Sequence, residues 1–402
     1  MKNIKYIYLS LIVLVLSISF SCREEIPLET EAFESVLVVE STITNELKIQ
    51  EVNLSRTYYL EATEQVLEDN ANVYIEDNLQ NVITFTQNAD GIYVSNVEFQ
   101  AEPARDYILH ITTESGENYQ SNATMLTPVA EISNLYPEVV NNETITIFLD
   151  ADGTENNTQY YRYFWEETYK IIAPFYTEYD ANIIDFEEIN GDILYNIELT
   201  PREQEERICF TTNASVDIIQ ASSSELDSNI ISRFPIISMD KNTSKLLERY
   251  SIIVTQITQN LESYSYYNTI KELGDTSSIL SSNQPGYIQS NVYSVSNTKE
   301  KVLGFFDVAS ITKKRIYFDY VDLDLNQPGY FYECPVLAFD YLDNSTSADP
   351  TDLNERVELY QFLEFRNYKF VDKEGLTYSI VKPQCGDCTA FSSNIQPDFW
   401  ID

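Results

Sequence analysis

The sequence predicts a mainly β protein: an immunoglobulin-like or transthyretin-like β-sandwich over residues 35–130, then a larger β-rich domain with one or two helices over residues 131–402. Short runs alternate apolar and polar residues with a period of two. Turn signals separate those runs every eight to twelve residues, at Asp77-Asn78, Asn88-Ala89-Asp90-Gly91 and Ser115-Gly116-Glu117. Thirty tyrosines and twenty phenylalanines supply aromatic residues that favour strands.

The chain begins with a segment that belongs to export rather than to the fold. Lys2 and Lys5 form a basic n-region, and Tyr6 to Phe20 give about fifteen mostly apolar residues, a signal-peptide length. An uncleaved anchor helix would need roughly twenty. Ser21 and Cys22 resemble a bacterial lipoprotein cleavage site, so residues 1–21 read as a signal peptide and 22–34 as a tether lipidated on Cys22. Arg23-Glu24-Glu25 resembles the signal that sends Bacteroidota lipoproteins to the outer face of the outer membrane.

From Ser35 the strands follow in order. Leu37, Val39, Ser41 and Ile43 form the apolar face of the first. Further strands are expected at Leu47 to Leu54, Asn72 to Glu76, Val82 to Thr86, Gly91 to Ser95, Tyr107 to Thr113 and Asn118 to Thr124, closing the sandwich near Pro128. Thr144 to Asp150, Tyr160 to Tyr169 and Tyr250 to Thr258 read as strands, whereas Pro174 to Ser244 is weakly patterned and reads as long loops with a few strands. Asn260 to Leu273 is the best helix: Asn260 can cap it, Leu261, Tyr264, Tyr267 and Ile270 recur every three residues, and Gly274 suits the C-terminal end. Strands resume at Tyr287 to Val295, Lys301 to Val308 and Arg315 to Tyr320, and a weaker helix is expected over Leu353 to Asn367.

Charge excludes one class of partner. With 64 acidic and 25 basic residues the net charge is −39, which repels a phosphate backbone, so nucleic acid is set aside. Such acidity favours solubility. It also permits divalent cations without locating a site, and neither Asp150-Ala151-Asp152-Gly153 nor Asp322-Leu323-Asp324-Leu325-Asn326 fits the twelve-residue calcium loop. No metal or other cofactor is assigned.

Catalytic residues are not assigned either. The single histidine, His110, alternates within a strand, so a triad, a histidine metal cluster and HExxH are excluded by count. GxSxG, P-loop and GxGxxG motifs are missing from the mature chain. Carboxylate-dependent hydrolysis is the one enzymatic class left open. Among the five cysteines, lipidation of Cys22 leaves Cys209, Cys334, Cys385 and Cys388 for disulfides in an oxidising compartment. Spacing does not fix the connectivity; Cys385 with Cys388 and Cys209 with Cys334 is the favoured pairing.

Aromatic clusters at Tyr160-Tyr161-Arg162-Tyr163-Phe164-Trp165 and Tyr264-Ser265-Tyr266-Tyr267 are the best candidates for a binding surface. Tyr161, Tyr163 and Trp165 share one strand face and form a candidate platform for a sugar or a partner, against the plain alternative that they fill a β-rich core.

Leu37-Val38-Val39-Glu40-Ser41-Thr42-Ile43-Thr44, Val52-Asn53-Leu54-Ser55-Arg56-Thr57, Ala71-Asn72-Val73-Tyr74-Ile75, Arg249-Tyr250-Ser251-Ile252, Gln284-Pro285-Gly286-Tyr287 leading to Asn291-Val292-Tyr293, Val302-Leu303-Gly304-Phe305-Phe306, and the ending Cys385-Gly386-Asp387-Cys388 with Pro397-Asp398-Phe399-Trp400 together resemble a Bacteroidota lipoprotein family, domain of unknown function 4249. The resemblance implies an outer-membrane lipoprotein encoded near TonB-dependent receptors. It carries no catalytic or ligand residues. The expected function is a non-catalytic accessory or ligand-capture component of such a receptor, with a surface glycan-binding or adhesive protein as the alternative and a small molecule or glycan as ligand left open.

Overall fold

The computed structural model describes residues 35–57, 66–189, 192–274, 288–342 and 354–402. The expected signal peptide, Cys22 and the tether lie outside the described residues. In chain order, the strands are β1 (Leu37–Thr44), β2 (Glu51–Arg56), β3 (Val66–Leu67), β4 (Asn72–Asp77), β5 (Val82–Gln87), β6 (Tyr93–Ser95), β7 (Asp106–Thr112), β8 (Asn118–Ser121) and β9 (Thr124–Met125). They continue with β10 (Glu131–Val140), β11 (Thr144–Asp152), β12 (Tyr160–Ile172), β13 (Tyr179–Ile189), β14 (Asp192–Pro201), β15 (Ile208–Ala214), β16 (Ile219–Ser222), β17 (Ile230–Asp240) and β18 (Tyr250–Gln259). Helix α1 (Leu261–Gly274) precedes β19 (Val292–Ser294), β20 (Val302–Ala309) and β21 (Ile311–Phe318). The C-terminal part holds β22 (Leu337–Asp340), α2 (Glu355–Arg366), β23 (Lys369–Glu374), β24 (Thr377–Val381) and the short α3 (Pro383–Gly386).

The expectation of a mainly β protein holds. The alternation in the first strand sorts as its residues require: Leu37, Val39, Ser41 and Ile43 are all buried. The boundary at residue 130 does not hold as an independent N-terminal unit. The first sheet runs β19-β8-β7-β4-β5-β6-β2-β1-β20, so two strands from after residue 290 complete it. Its end strands β19 and β20 pack on each other and nearly close the sheet, and Asn291 bridges them, donating from Nδ2 to Phe306 O at 2.7 Å and accepting from Phe306 N at 2.9 Å. β20 pairs parallel to β1, Leu37 opposite Val302 through Thr44 opposite Ala309. A parallel pair needs a distant crossover, so no local pattern announces it.

Two further sheets, β10-β11-β17 and β15-β12-β18-β21, share a second core that includes Ile145, Ile147, Leu149, Tyr161, Tyr163 and Ile252. Only Ser310 separates β20 from β21, so the chain steps directly from the first sheet into this core. Thr127 ties the seam: its Oγ1 lies 2.7 Å from Thr258 Oγ1 and accepts from Ser310 N at 2.9 Å. A third, smaller cluster packs α2 on β22-β24-β23 and on the inner side of the β13–β14 hairpin.

The stretch expected to be loop-rich, Pro174 to Ser244, holds five strands, β13 to β17. β13 and β14 pair only with each other and have both exposed and half-buried positions along their length, which dilutes the alternation. Among the described residues no helix is long and apolar enough to cross a membrane.

Candidate functional site

β12 is a central strand, and its aromatic run is divided between two covered faces. Tyr161 and Tyr163 are 0% exposed, their rings stack at 6.3 Å, and Tyr163 packs on Phe234 at 5.2 Å. Tyr161 donates its hydroxyl to Thr158 O at 3.0 Å. Trp165 is half-buried against the same core. The expected platform of Tyr161, Tyr163 and Trp165 is therefore an interior layer, because the β10-β11-β17 sheet covers that side of the strand.

The opposite face presents Tyr160, Arg162 and Phe164, and helix α1 lies over it. Asn260 starts the helix as expected: its Oδ1 accepts from Ser263 N at 2.8 Å. Tyr264 meets Tyr160 at 4.9 Å between ring centroids. Arg162, 5% exposed, places its guanidinium carbon 3.7 Å from the Tyr267 centroid and 5.1 Å from that of Phe164, which stabilises an enclosed cation through ring quadrupoles. Tyr266 seats the helix on the first sheet, its hydroxyl accepting from Gly304 N at 2.8 Å.

Three tyrosines of α1 each border a different groove. Tyr264 lines one of about 630 Å³ with Gln220, Ser222, Ser224, Ser232 and Phe234. Tyr266 lines another of about 420 Å³ with Asn122, Glu262, Thr269, Ser290 and Phe305. Tyr267 borders the third, about 310 Å³, with Glu40, Thr42, Gln50, Glu51 and Asn53. Glu40 and Glu51 are the two carboxylates in that third groove.

Beneath the helix a hydrogen-bonded chain crosses from one sheet to the other. Gln220 Nε2 donates to Gln259 Oε1 at 2.9 Å, Gln259 Nε2 donates to Ser263 Oγ at 2.8 Å, and Ser263 Oγ donates to Asp307 Oδ2 at 2.5 Å. Asp307 is 0% exposed. Burial pushes its carboxyl above the usual range, against the Ser263 bond and the Arg162 charge, which act to lower it. Arg162 and Asp307 are thus enclosed, while Glu225, Glu262, Glu40, Glu51 and Lys48 stand on the groove linings among amides, hydroxyls and rings that can bind neutral polar groups.

His110 takes no part. It stacks on Tyr74 at 4.6 Å, its Nε2 is 3.7 Å from Glu76 Oε2, and burial lowers its pKa more than Glu76 raises it. Among the described residues no group of three or more histidine, cysteine or acidic side chains could hold a metal ion. Asp152 serves its own turn instead, accepting from Thr154 N at 2.9 Å.

All four expected cysteines form disulfides, with a different pairing: Cys209 to Cys388 and Cys334 to Cys385. The reason is the turn between the CxxC cysteines. α3 ends at Gly386, Asp387 caps a 3₁₀ turn by accepting from Thr389 N at 2.8 Å, and the two sulfurs point to different neighbours. Cys388 N donates to Glu206 O beside β15, while Tyr330, near Cys334, donates to Gln384 O. Gln220 and Asp307 were not singled out by sequence reasoning, and Arg162 was named only as part of the Tyr160–Trp165 cluster; Gln220 falls in a weakly patterned stretch, and nothing local marks Asp307. The Tyr264-Ser265-Tyr266-Tyr267 cluster was the legible signal.

Residues 23–315 match the family model described as Domain of unknown function (DUF4249). The match contains β12, α1 and all three grooves and stops before Cys334, Cys385 and Cys388, so the resemblance in the C-terminal ending lies beyond it. No curated protein matches the chain.

Proposed function

The chain belongs to the DUF4249 family, and from that premise we propose that it is a non-catalytic lipoprotein of the outer membrane, anchored through Cys22, which captures a ligand for a TonB-dependent receptor. The observation that carries this reading is the arrangement around α1: three open grooves lined mainly by neutral polar groups, with Arg162 and Asp307 enclosed beneath them. Such a surface can hold a ligand, and it aims no buried acid or base at one. The N-terminal sequence supports the location, since Lys2, Lys5, the apolar run to Phe20 and Ser21-Cys22 have the order of a lipoprotein signal, and Arg23-Glu24-Glu25 favours the cell surface.

The test is crosslinking in intact cells, pull-down of the chain, and mass spectrometry, beside a Cys22→Ser variant. Recovery of a large β-barrel receptor with the wild type and its loss with the variant supports the reading; repeated recovery of the chain alone counts against it. The second reading, a surface glycan-binding or adhesive protein, is favoured by rings and hydroxyls lining the same grooves. It predicts protease sensitivity of the chain on intact cells without a barrel partner.

A further inference from the structure

We propose that the groove bordered by Tyr264 and Phe234 is a binding site for a neutral pyranose sugar. The inference deepens the ligand-capture reading and rests on it for biological context, while the chemistry stands on the groove itself. Its volume, about 630 Å³, lies within the roughly 300–1,000 Å³ of small-molecule sites. Two half-buried rings, Tyr264 and Phe234, supply apolar walls, and Ser222, Ser224 and Ser232 supply hydroxyls that can donate or accept. A pyranose has the matching make-up, with C–H faces for rings and a rim of hydroxyls for the polar groups.

Gln220 gives the site its specificity. It is 8% exposed and its amide nitrogen is committed twice, to Gln259 Oε1 at 2.9 Å and to the Tyr264 carbonyl at 3.1 Å. A backbone carbonyl only accepts, which fixes the nitrogen on that side and leaves Oε1 as the free end. Oε1 has no hydrogen-bond partner and almost no exposed surface; a buried acceptor in that state favours a donor, which a ligand in the groove supplies once the wall over Gln220 opens to it. A sugar hydroxyl is such a donor. Anionic sugars fit poorly: no basic side chain lines the groove, Glu225 stands at its edge, and the chain carries −39.

The groove also lies where the two aromatic clusters marked in the sequence meet, since Tyr264 packs at a tilt against Tyr160, the first residue of the other. The relay through Gln259 and Ser263 to Asp307 holds Gln220 in place from behind.

The test is an array of neutral hexasaccharides, including gluco-, manno- and xylo-oligomers, with uronic-acid oligomers as the anionic control, probed with the full chain purified in mild detergent. Affinities of hits follow by calorimetry for wild type, Tyr264→Ala, Gln220→Leu and Ser224→Trp. Ser224 is exposed at the rim, so its replacement fills the groove without entering the core. The expected result is binding of at least one neutral oligomer, no binding of uronic acids, and a tenfold or greater loss in each variant, with Asn182→Ala on the distant hairpin unchanged. No neutral oligomer bound, or binding unmoved by both Ser224→Trp and Tyr264→Ala, overturns the proposal. The two readings fail separately: a receptor recovered from cells with no sugar bound refutes only the sugar site, and a mapped sugar site with no receptor refutes only the accessory role.

Discussion

Replacing Gly304 by alanine tests whether the parallel β1–β20 pair is what closes the first sheet and carries α1. Gly304 has φ +90° and lies opposite Val39 in that pair. A Cβ there would sit 1.9 Å from Val39 O and 2.6 Å from Val39 N. Both are backbone atoms in a buried strand, so one strand must move by about 1 Å in a close-packed interior. Gly116 is the internal control, because it has φ +89° with nothing within 4 Å of an added Cβ. Positive φ alone costs an alanine about 1–2 kcal/mol, and that is the whole expected effect of Gly116→Ala. Gly304→Ala adds the displaced pairing and the strained bond from Gly304 N to Tyr266, and should exceed about 4 kcal/mol, the range in which a specific structural cause is identifiable. Urea denaturation followed by intrinsic fluorescence, with disulfides intact, gives both values. Equal losses for the two variants, within about 0.5 kcal/mol, would show that the close approach of β20 to β1 does not exist.

The other expectations concern the core, the disulfides and pH. Tyr163→Ala removes a 0% exposed ring and should lower stability by about 3–5 kcal/mol, measured by the same denaturation; a neutral effect would return Tyr163 to the surface. Proteolytic mapping without reductant should recover the Cys209 peptide joined to that of Cys388. With sequence separations of 179 for Cys209 to Cys388 and 51 for Cys334 to Cys385, chain entropy gives stabilisations of about 5 and about 4 kcal/mol; a peptide closed between Cys385 and Cys388 would contradict the fold of the tail. Two buried acids should respond to pH with opposite sign. For Asp77, burial raises the carboxyl pKa but bonds from Asn81, Leu79 N and Arg105 outweigh it, so the folded value is depressed. Its stabilisation is present above the unfolded value near 3.8 and is lost as pH falls through the folded one, so the deficit of Asp77→Asn relative to wild type should shrink on acidification. For Asp307 the folded value is raised, so wild-type stability from that position declines as pH rises from the unfolded value through the folded one. Stability of Asp307→Asn relative to wild type should rise over that window; an unchanged difference refutes the burial of an ionisable group there.

Much of the local structure was written in the sequence. Leu37, Val39, Ser41 and Ile43 announced a half-buried strand because one of its faces meets a core and the other does not, and period two then reports orientation directly. Asn260 started α1 because the first N–H groups of a helix must be satisfied by nearby residues, whereas Gly274, expected just beyond the helix, is still helical. The family resemblance was also legible, since it is read from contiguous stretches. The interior platform was misplaced for the converse reason: five of the six residues from Tyr160 to Trp165 are aromatic and they fall on both faces of β12, so alternation loses its meaning. One residue of phase separates the buried Tyr161 and Tyr163 from Tyr160, Arg162 and Phe164 on the side under α1. Tertiary structure alone decided the rest. β20 joins β1 across more than half the chain, Cys388 finds Cys209 rather than its neighbour Cys385, and Gln220, Gln259, Ser263 and Asp307 meet from four separate elements. Apart from the Gln259–Ser263 link, four residues apart, these are contacts between residues far apart in sequence, set by which sheets close and which faces are covered, and chain-local patterns of charge, period or spacing contain no record of that choice.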